Sequence, residues 1–424
     1  MNKLLFLLLF FFPFGGFAQS CDCHEALNFT VDLLKNSPSY KEQIKRNAAK
    51  TSAFNKEILS ITERISRDPL IESNCLAYLS EVLALVRDGH LYAVPAKDRT
   101  LPKKEEDPEA FEAFMQSSKV SNLPVYEGDI EALEDRLQQT EFKALEGIYT
   151  DVNSVLEIGV IQQENGFRGI ILNSESNYWL PGHVIFEIQK RNETTFSGYY
   201  YDTYRDTRYT VESSPKRMID NWGIWKDLDN RSPWLVVDRM AVEPIQPLEE
   251  GVLYLYLASF KGTTENIRRM NGIYEEVGTM LPNIQHLIID VRNNGGGGQV
   301  SYNRLLEKLK AYEDQLQVHI VMNRKTGSAA EIFSAILKEK GAIWYGENTR
   351  GALEYRYSNK FNGKDNGGTV PCWGYRLGIT VAKTPAKLRA LNAEVIGLTP
   401  DVYLSDETEW RTQVLTSILR EKEE

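Results

Sequence analysis

Apolar and polar positions along the chain fall into three textures. After the first twenty or so residues, Ala26, Leu27, Val31, Leu33 and Leu34 recur at near-helical spacing, and so do Leu79, Val82, Leu83, Leu85 and Val86. This stretch, to about residue 95, predicts helices, with Asp88-Gly89-His90 at the end of the last one. An acidic connector follows, including Lys103 to Pro108. From about 145 to 240 the period shortens: Ile158, Val160 and Ile161, then Gly169 to Leu172, Val184 to Ile188, Gly198 to Tyr201 and Tyr209 to Val211 read as short strands between polar turns. They predict a small antiparallel barrel or sandwich. From about 250, strands at Val252 to Leu257, Leu287 to Val291 and Val318 to Met322 alternate with helices at Asn266 to Leu281, Tyr302 to Leu309 and Ala329 to Lys338. That alternation predicts an α/β layer with a parallel or mixed sheet, whose active site gathers at the carboxyl ends of its strands. The expected division is a leader over 1–18, a helical region over 19–135, a β-rich insert over 140–245 and an α/β core over 246–424.

Composition narrows this picture. The 424 residues are 42% hydrophobic and 25% charged, as in ordinary globular proteins. A net charge of -10 with no basic block excludes a nucleic-acid partner, which needs clustered Lys and Arg. Lys3, the apolar run Leu4 to Phe12, the breakers Pro13, Gly15 and Gly16, and small residues at Gly16 and Ala18 read as a cleavable export signal ending before Gln19. The run is too short for a comfortable membrane span, and no later stretch is long enough. Lipid anchoring through Cys21 is the alternative for the exported chain. Four cysteines, Cys21, Cys23, Cys75 and Cys372, would then lie in a disulfide-permissive compartment. Cys21 or Cys23 pairing with Cys75 would tie the mature N-terminus to a nearby helix. Cys21, Cys23 and His24 lack a second cluster to complete a metal site, so neither metal nor cofactor is expected.

Four features carry candidate chemistry. Asp290-Val291-Arg292-Asn293-Asn294 followed by Gly295 to Gly298 comes directly after a buried strand. Its glycines allow a sharp turn with inward N–H groups, read as an oxyanion hole, a phosphate cradle lacking the Gly-Lys-Ser/Thr of a P-loop, or a plain turn. Ser328 opens an amphipathic helix with Glu331 three residues on; it is either a cap in a capping box or a nucleophile at the positive end of the helix dipole. His90 is one of only 5 histidines and follows a glycine, so it is either structural or a general base. Glu394, before the Gly397 and Pro400 turn, is either a solvated loop carboxylate or the acid that orients an imidazole.

Taken together and in order, these segments resemble the tail-specific, or C-terminal processing, serine peptidases, in their tricorn-like Ser-His-Glu branch. Gly251 to Tyr256 with Ser259-Phe260 resembles the strand entering the family's core. Asp290 to Gly298 resembles its Asp-x-Arg-x-Asn-Gly-Gly motif, Ser328-Ala329-Ala330-Glu331 its nucleophile motif, and Gly346 to Gly351 its Gly-Glu-x-Thr-x-Gly turn. Gly397 to Asp401 resembles its closing motif, and Asp88-Gly89-His90 an N-terminal motif of the branch. The resemblance covers about 250–424 and 75–95. It implies a crotonase-like ββα core, no cofactor, a peptide or protein substrate, and catalysis by Ser328 with His90 as base and Glu394 orienting His90 or an intervening group. Gly295, Gly296 and Ala329 would hold the oxyanion. Two positions depart from the pattern: Ala352 stands where the tail-specific branch has its dyad lysine, and Gly89 where the tricorn-like branch can have a serine. They motivate the rival reading, a catalytically decayed peptide-binding protein on the same scaffold. A PDZ-type carboxylate-binding loop is not seen, and the sequence leaves the oligomeric state open.

Overall fold

The computed structural model describes residues 22–95, 100–141, 144–226, 243–357, 360–361, 364–365, 368–370, 375–405 and 408–423. The leader, Cys21 and Cys372 lie outside them. Among the described residues no helix is long and apolar enough to cross a membrane.

The chain begins with helices α1 (Cys23–Asn36), α2 (Pro38–Gln43), α3 (Ala48–Arg67) and α4 (Ile71–Leu83). Asp22, Ser37 and Asn47 cap the first three by accepting amide N–H bonds. A Cys23–Cys75 disulfide joins α1 to α4, which resolves the two pairings left open by spacing. The apolar period continues to Val86, but α4 ends at Leu83, and Leu85 and Val86 sit in tight turns bonded to Val82 and Leu83. His90 therefore lies in the connection leading to strand β1 (Tyr92–Pro95), not at the helix end. The core of this region is shared. Val370, Tyr375, Leu377 and Ile379, from far along the chain, close it together with Leu27, Leu76 and Leu79.

Three short helices, α5 (Pro108–Met115), α6 (Ser118–Ser121) and α7 (Ile130–Gln138), lead into the β-rich segment. Strands β2 (Gly147–Asp151), β3 (Leu156–Gln163), β4 (Gly166–Ser174), β5 (Val184–Lys190), β6 (Phe196–Tyr201), β7 (Thr207–Glu212) and β8 (Ile224–Trp225) form one antiparallel sheet, with helix α8 (Pro215–Asn221) between the last two. Its order, β7-β6-β5-β4-β3-β2-β8, leaves β7 and β8 as edges. The segment is neither a barrel nor a sandwich. Both faces are covered by helices: Leu133 and Leu137 of α7 on one side, Met218 and Ile219 of α8 on the other. The β7 side is met by α4, where Asn74 accepts from the Thr207 hydroxyl at 2.6 Å and Glu81 from the Tyr199 hydroxyl at 2.9 Å. Helical cover removes the need for a second sheet.

The last part holds β9 (Ile245–Glu249), β10 (Val252–Tyr256), α9 (Thr264–Met280), β11 (His286–Asp290), α10 (Asn303–Lys310), β12 (Gln317–Met322), α11 (Ala329–Lys338) and β13 (Ile343–Gly346). Next come the short strands β14 (Tyr355–Tyr357), β15 (Lys360–Phe361), β16 (Lys364–Asp365), β17 (Gly368–Thr369), β18 (Tyr375–Gly378) and β19 (Thr380–Lys383), then α12 (Ala386–Arg389), β20 (Val402–Tyr403) and α13 (Trp410–Glu423). The six-stranded sheet runs β20-β13-β12-β11-β10-β9, parallel throughout except for edge strand β9. This is the mixed sheet that the continuous apolar strands predict. Leu287 and Ile289 face a core built with α9, α10 and α11, while Tyr254, Ile288 and Val321 face α13. Strand β18 pairs antiparallel with β1, register Tyr92↔Gly378 to Pro95↔Tyr375, and so ties the His90 connection to this part.

Candidate active site

Two turns at the carboxyl ends of β11 and β12 build the nucleophile side. After β11, Asp290 and Arg292 form a buried ion pair at 2.6 Å, and the Tyr254 hydroxyl donates to Asp290 at 2.8 Å. Asn294 then organises the glycine turn. Its side-chain amide donates to Leu257 O, and its Oδ1 accepts from Gly296 N–H at 3.0 Å. After β12, the Thr326 hydroxyl donates to Val291 O at 2.9 Å, and Gly327 N–H to Asn294 O at 2.9 Å. The two turns are thereby locked together. Gly296, at φ +95°, lies so close to the second turn that a Cβ there would sit 2.6 Å from Gly327 O and 2.8 Å from Ala329 N. Only glycine fits.

Ser328 is the residue before α11 and holds φ 53°, ψ -116°, a region that side-chain-bearing residues rarely enter. Such strain persists only where neighbours over-determine it, and here Glu331 does so. Its fully buried carboxylate accepts from Ser328 N–H (2.7 Å), Gly351 N–H (2.7 Å), Ala352 N–H (2.9 Å) and the Thr349 hydroxyl (2.5 Å). Burial pushes its pKa up, and these four donors oppose that shift. Glu331 thus clasps the 349–352 turn to the base of Ser328. The capping-box spacing pointed to the Ser328 bond, but not to the three distant ones.

His90 arrives from the other side. Gln43 holds its connection by accepting from Arg87 N–H and donating to Arg87 O. Asp88, buried, accepts from the Thr380 hydroxyl at 2.7 Å and from His90 N–H at 3.1 Å. Gly89 N–H donates to Glu394 Oε1 at 2.6 Å. The result places His90 Nε2 2.8 Å from Ser328 Oγ, across 238 positions of sequence. Burial, with the Arg350 guanidinium second, holds the imidazole pKa down to about 4. The ring is therefore neutral at ordinary pH, and Nε2 is free to accept a proton. Its buried Nδ1 has no hydrogen-bond partner among the described residues.

Glu394 is buried and close, but it does not bond the imidazole. Its Oε2 accepts from Leu353 N–H at 2.9 Å and Glu354 N–H at 2.6 Å, and its Oε1 from Gly89. Glu394 reaches the His90 connection through the Gly89 amide rather than through the ring. Burial pushes its pKa up to about 8, with Asp88 adding to the shift and the three amides opposing it. Asp88, His90 and Glu394 bring one ligating atom each within 4.8 Å of one another. Both carboxylates, however, already accept bonds from N–H and O–H donors, which suits a proton network better than a metal.

Ala352 is buried, and its N–H is used by Glu331. Ala352 thus takes part in a backbone clasp. Gly89 rests on it directly: a Cβ would lie 2.5 Å from Gly351 O and 3.0 Å from Ala352 Cβ, so a side chain there would force the backbone to shift. Among the three oxyanion candidates, Gly296 has given its N–H to Asn294, while Gly295 and Ala329 have not been drawn into bonds among the described residues.

No family model matches the chain, and no curated protein matches it. Solved structures do. Mature CPAF complexed with lactacystin is 12% identical, with 94% of this chain and 97% of that one covered at a TM-score of 0.42. The photosystem II D1 C-terminal processing protease is 13% identical, with 91% and 94% covered at 0.32. The tricorn protease is 13% identical, with 95% of this chain and 37% of that one covered at 0.35. These likenesses are distant, and the chemistry rests on the site's own residues.

Proposed function

We propose that the chain is an exported serine peptidase. The observation that carries this reading is the 2.8 Å contact between His90 Nε2 and Ser328 Oγ at a helix N-terminus. Oγ attacks the peptide carbonyl while its proton passes to Nε2. The C–N bond then breaks as Nε2 returns that proton to the leaving amine, and water, activated by the same imidazole, hydrolyses the acyl-enzyme. Ala329 N–H, with Gly295 N–H across the turn, stabilises the oxyanion, a donor worth on the order of a hundredfold in rate. Glu394 positions His90 through Gly89. The sheet-and-helix core is assigned to the crotonase type. Export is supported by the Cys23–Cys75 disulfide, which belongs to an oxidising compartment. The decayed-scaffold reading, motivated by Gly89 and Ala352, would gain if His90 faced away from Ser328; the 2.8 Å contact supports the catalytic reading instead.

Fluorophosphonate labelling tests this proposal. Wild type takes the label at Ser328, Ser328→Ala does not, and peptide hydrolysis falls on the order of a millionfold in that variant. A folded wild type that resists the reagent would overturn the assignment.

A further inference from the structure

Beside the catalytic pair lies a cleft of about 690 Å³, open between the His90 connection and the β5–β6 turn and strand β7 of the antiparallel sheet. Arg87, Arg191 and Arg350 line it. Among the described residues none of the three makes an ion pair. The guanidinium of Arg87 donates to Glu394 O at 2.9 Å and that of Arg350 to Gly89 O at 3.4 Å, both backbone carbonyls that leave the charge unneutralised. Of the two carboxylates in the lining, Glu212 is paired with Arg217 at 2.9 Å and bonded to Asn221 at 2.8 Å, while Asp88 is bonded to the neutral Thr380 hydroxyl and His90 amide, so three guanidinium groups face one carboxylate without a cationic partner. The cleft is therefore a positive pocket on a chain of net charge -10. The stem of Arg350 also lies against Gly327, the residue before Ser328. On the same rim Val395 and Ile396 are 39% and 52% exposed, an apolar step next to the charge.

We infer that this cleft binds an acidic segment of the peptide beside the bond to be cut, with Arg191 and Arg350 as specificity-determining residues. The inference rests on the peptidase reading for its place in a reaction, but the binding it describes is separate from the chemistry. Three guanidinium groups call for more than one carboxylate, since a single terminal carboxylate engages one or two of them. Fixed cations in a concave site raise the local concentration of anionic ligands and reject cationic ones.

The test uses the full chain carrying Ser328→Ala, so that no peptide is cut. Matched peptides bearing a neutral fluorophore carry four Glu or four Gln, each as free acid and as C-terminal amide, and binding is read by fluorescence anisotropy. The Glu peptides bind about tenfold more tightly than the Gln peptides at low ionic strength. Amidation leaves that ratio in place, added salt reduces it, and Arg191→Gln or Arg350→Gln brings it close to one. Equal or undetectable binding of the Glu and Gln peptides overturns the inference. So does a ratio that survives both arginine variants, or one that depends on the free C-terminus alone. Fluorophosphonate labelling of wild type is scored in parallel: labelling without an acidic preference sinks only this inference, while a preference without labelling sinks only the peptidase reading.

Discussion

Gly89 is the residue on which the imidazole's placement turns. It donates to Glu394 and leaves no space for a Cβ against Gly351 O. Gly89→Ala forces the backbone away from Ala352 and carries His90 with it. A shift of about 1 Å at a catalytic group costs on the order of a hundredfold, so kcat falls by about that much while the folded far-UV circular dichroism is retained. Glu394 has a different signature. Its folded pKa of about 8 lies above its ordinary value of 4.5, so between those values the native state keeps a proton that the unfolded chain has lost, and stability falls as pH rises. His90 works the other way: held at about 4 against an ordinary 6.5, it makes stability rise with pH across that window. Of these two, His90 no longer contributes a slope above about 6.5, while Glu394 still does. Urea unfolding at a series of pH values therefore shows a decline from about 6.5 to 8 in wild type that is shallower in Glu394→Gln. Glu394→Gln with the same decline would refute the assignment.

The elements that carry the nucleophile were legible along the chain, because each motif is local: a buried strand, a glycine or small-residue turn, then a helix. Strands β10 to β12 and helices α9 to α11 follow directly from apolar spacing. What spacing did not reveal is set by contacts between distant segments. Asn294 claims the Gly296 amide, Glu331 gathers three donors from 349–352, and α4 covers the β7 side of an open sheet where short strands suggested a barrel or sandwich. Helix α8 is a further case. Its Asp220 pairs with Arg324 of the nucleophile loop at 2.7 Å, both side chains buried, and neighbouring Arg217 donates to Thr349 O at 3.0 Å. Asp220→Ala leaves the Arg324 charge buried without its closest partner and destabilises the fold by about 3 kcal/mol in urea unfolding. It also slows fluorophosphonate labelling, because Thr349 and Arg324 brace the loop that presents Ser328. Unchanged labelling would show that the β-rich segment does not brace the site.

At the scale of the molecule, the helical region and the α/β core share one packed core, although the sequence separates them by the whole β-rich segment. Val370, Tyr375, Leu377 and Ile379 close the N-terminal core, and β18 grips β1 on one side of His90 while α4 holds the other. The Cys23–Cys75 bond staples α1 to α4 across a sequence separation of 52. A loop of that length predicts that Cys23→Ser with Cys75→Ser costs about 3 to 4 kcal/mol; reductant should then shift the wild-type unfolding midpoint to that of the double variant. The shared core also bears on the timing of activity. A growing or translocating chain that has released everything up to α11 owns its serine and its histidine, yet lacks the late strands that hold the two in register. On the peptidase reading proposed above, competence waits for the strands that follow α11, so a copy that stops there would carry both residues without a working pair.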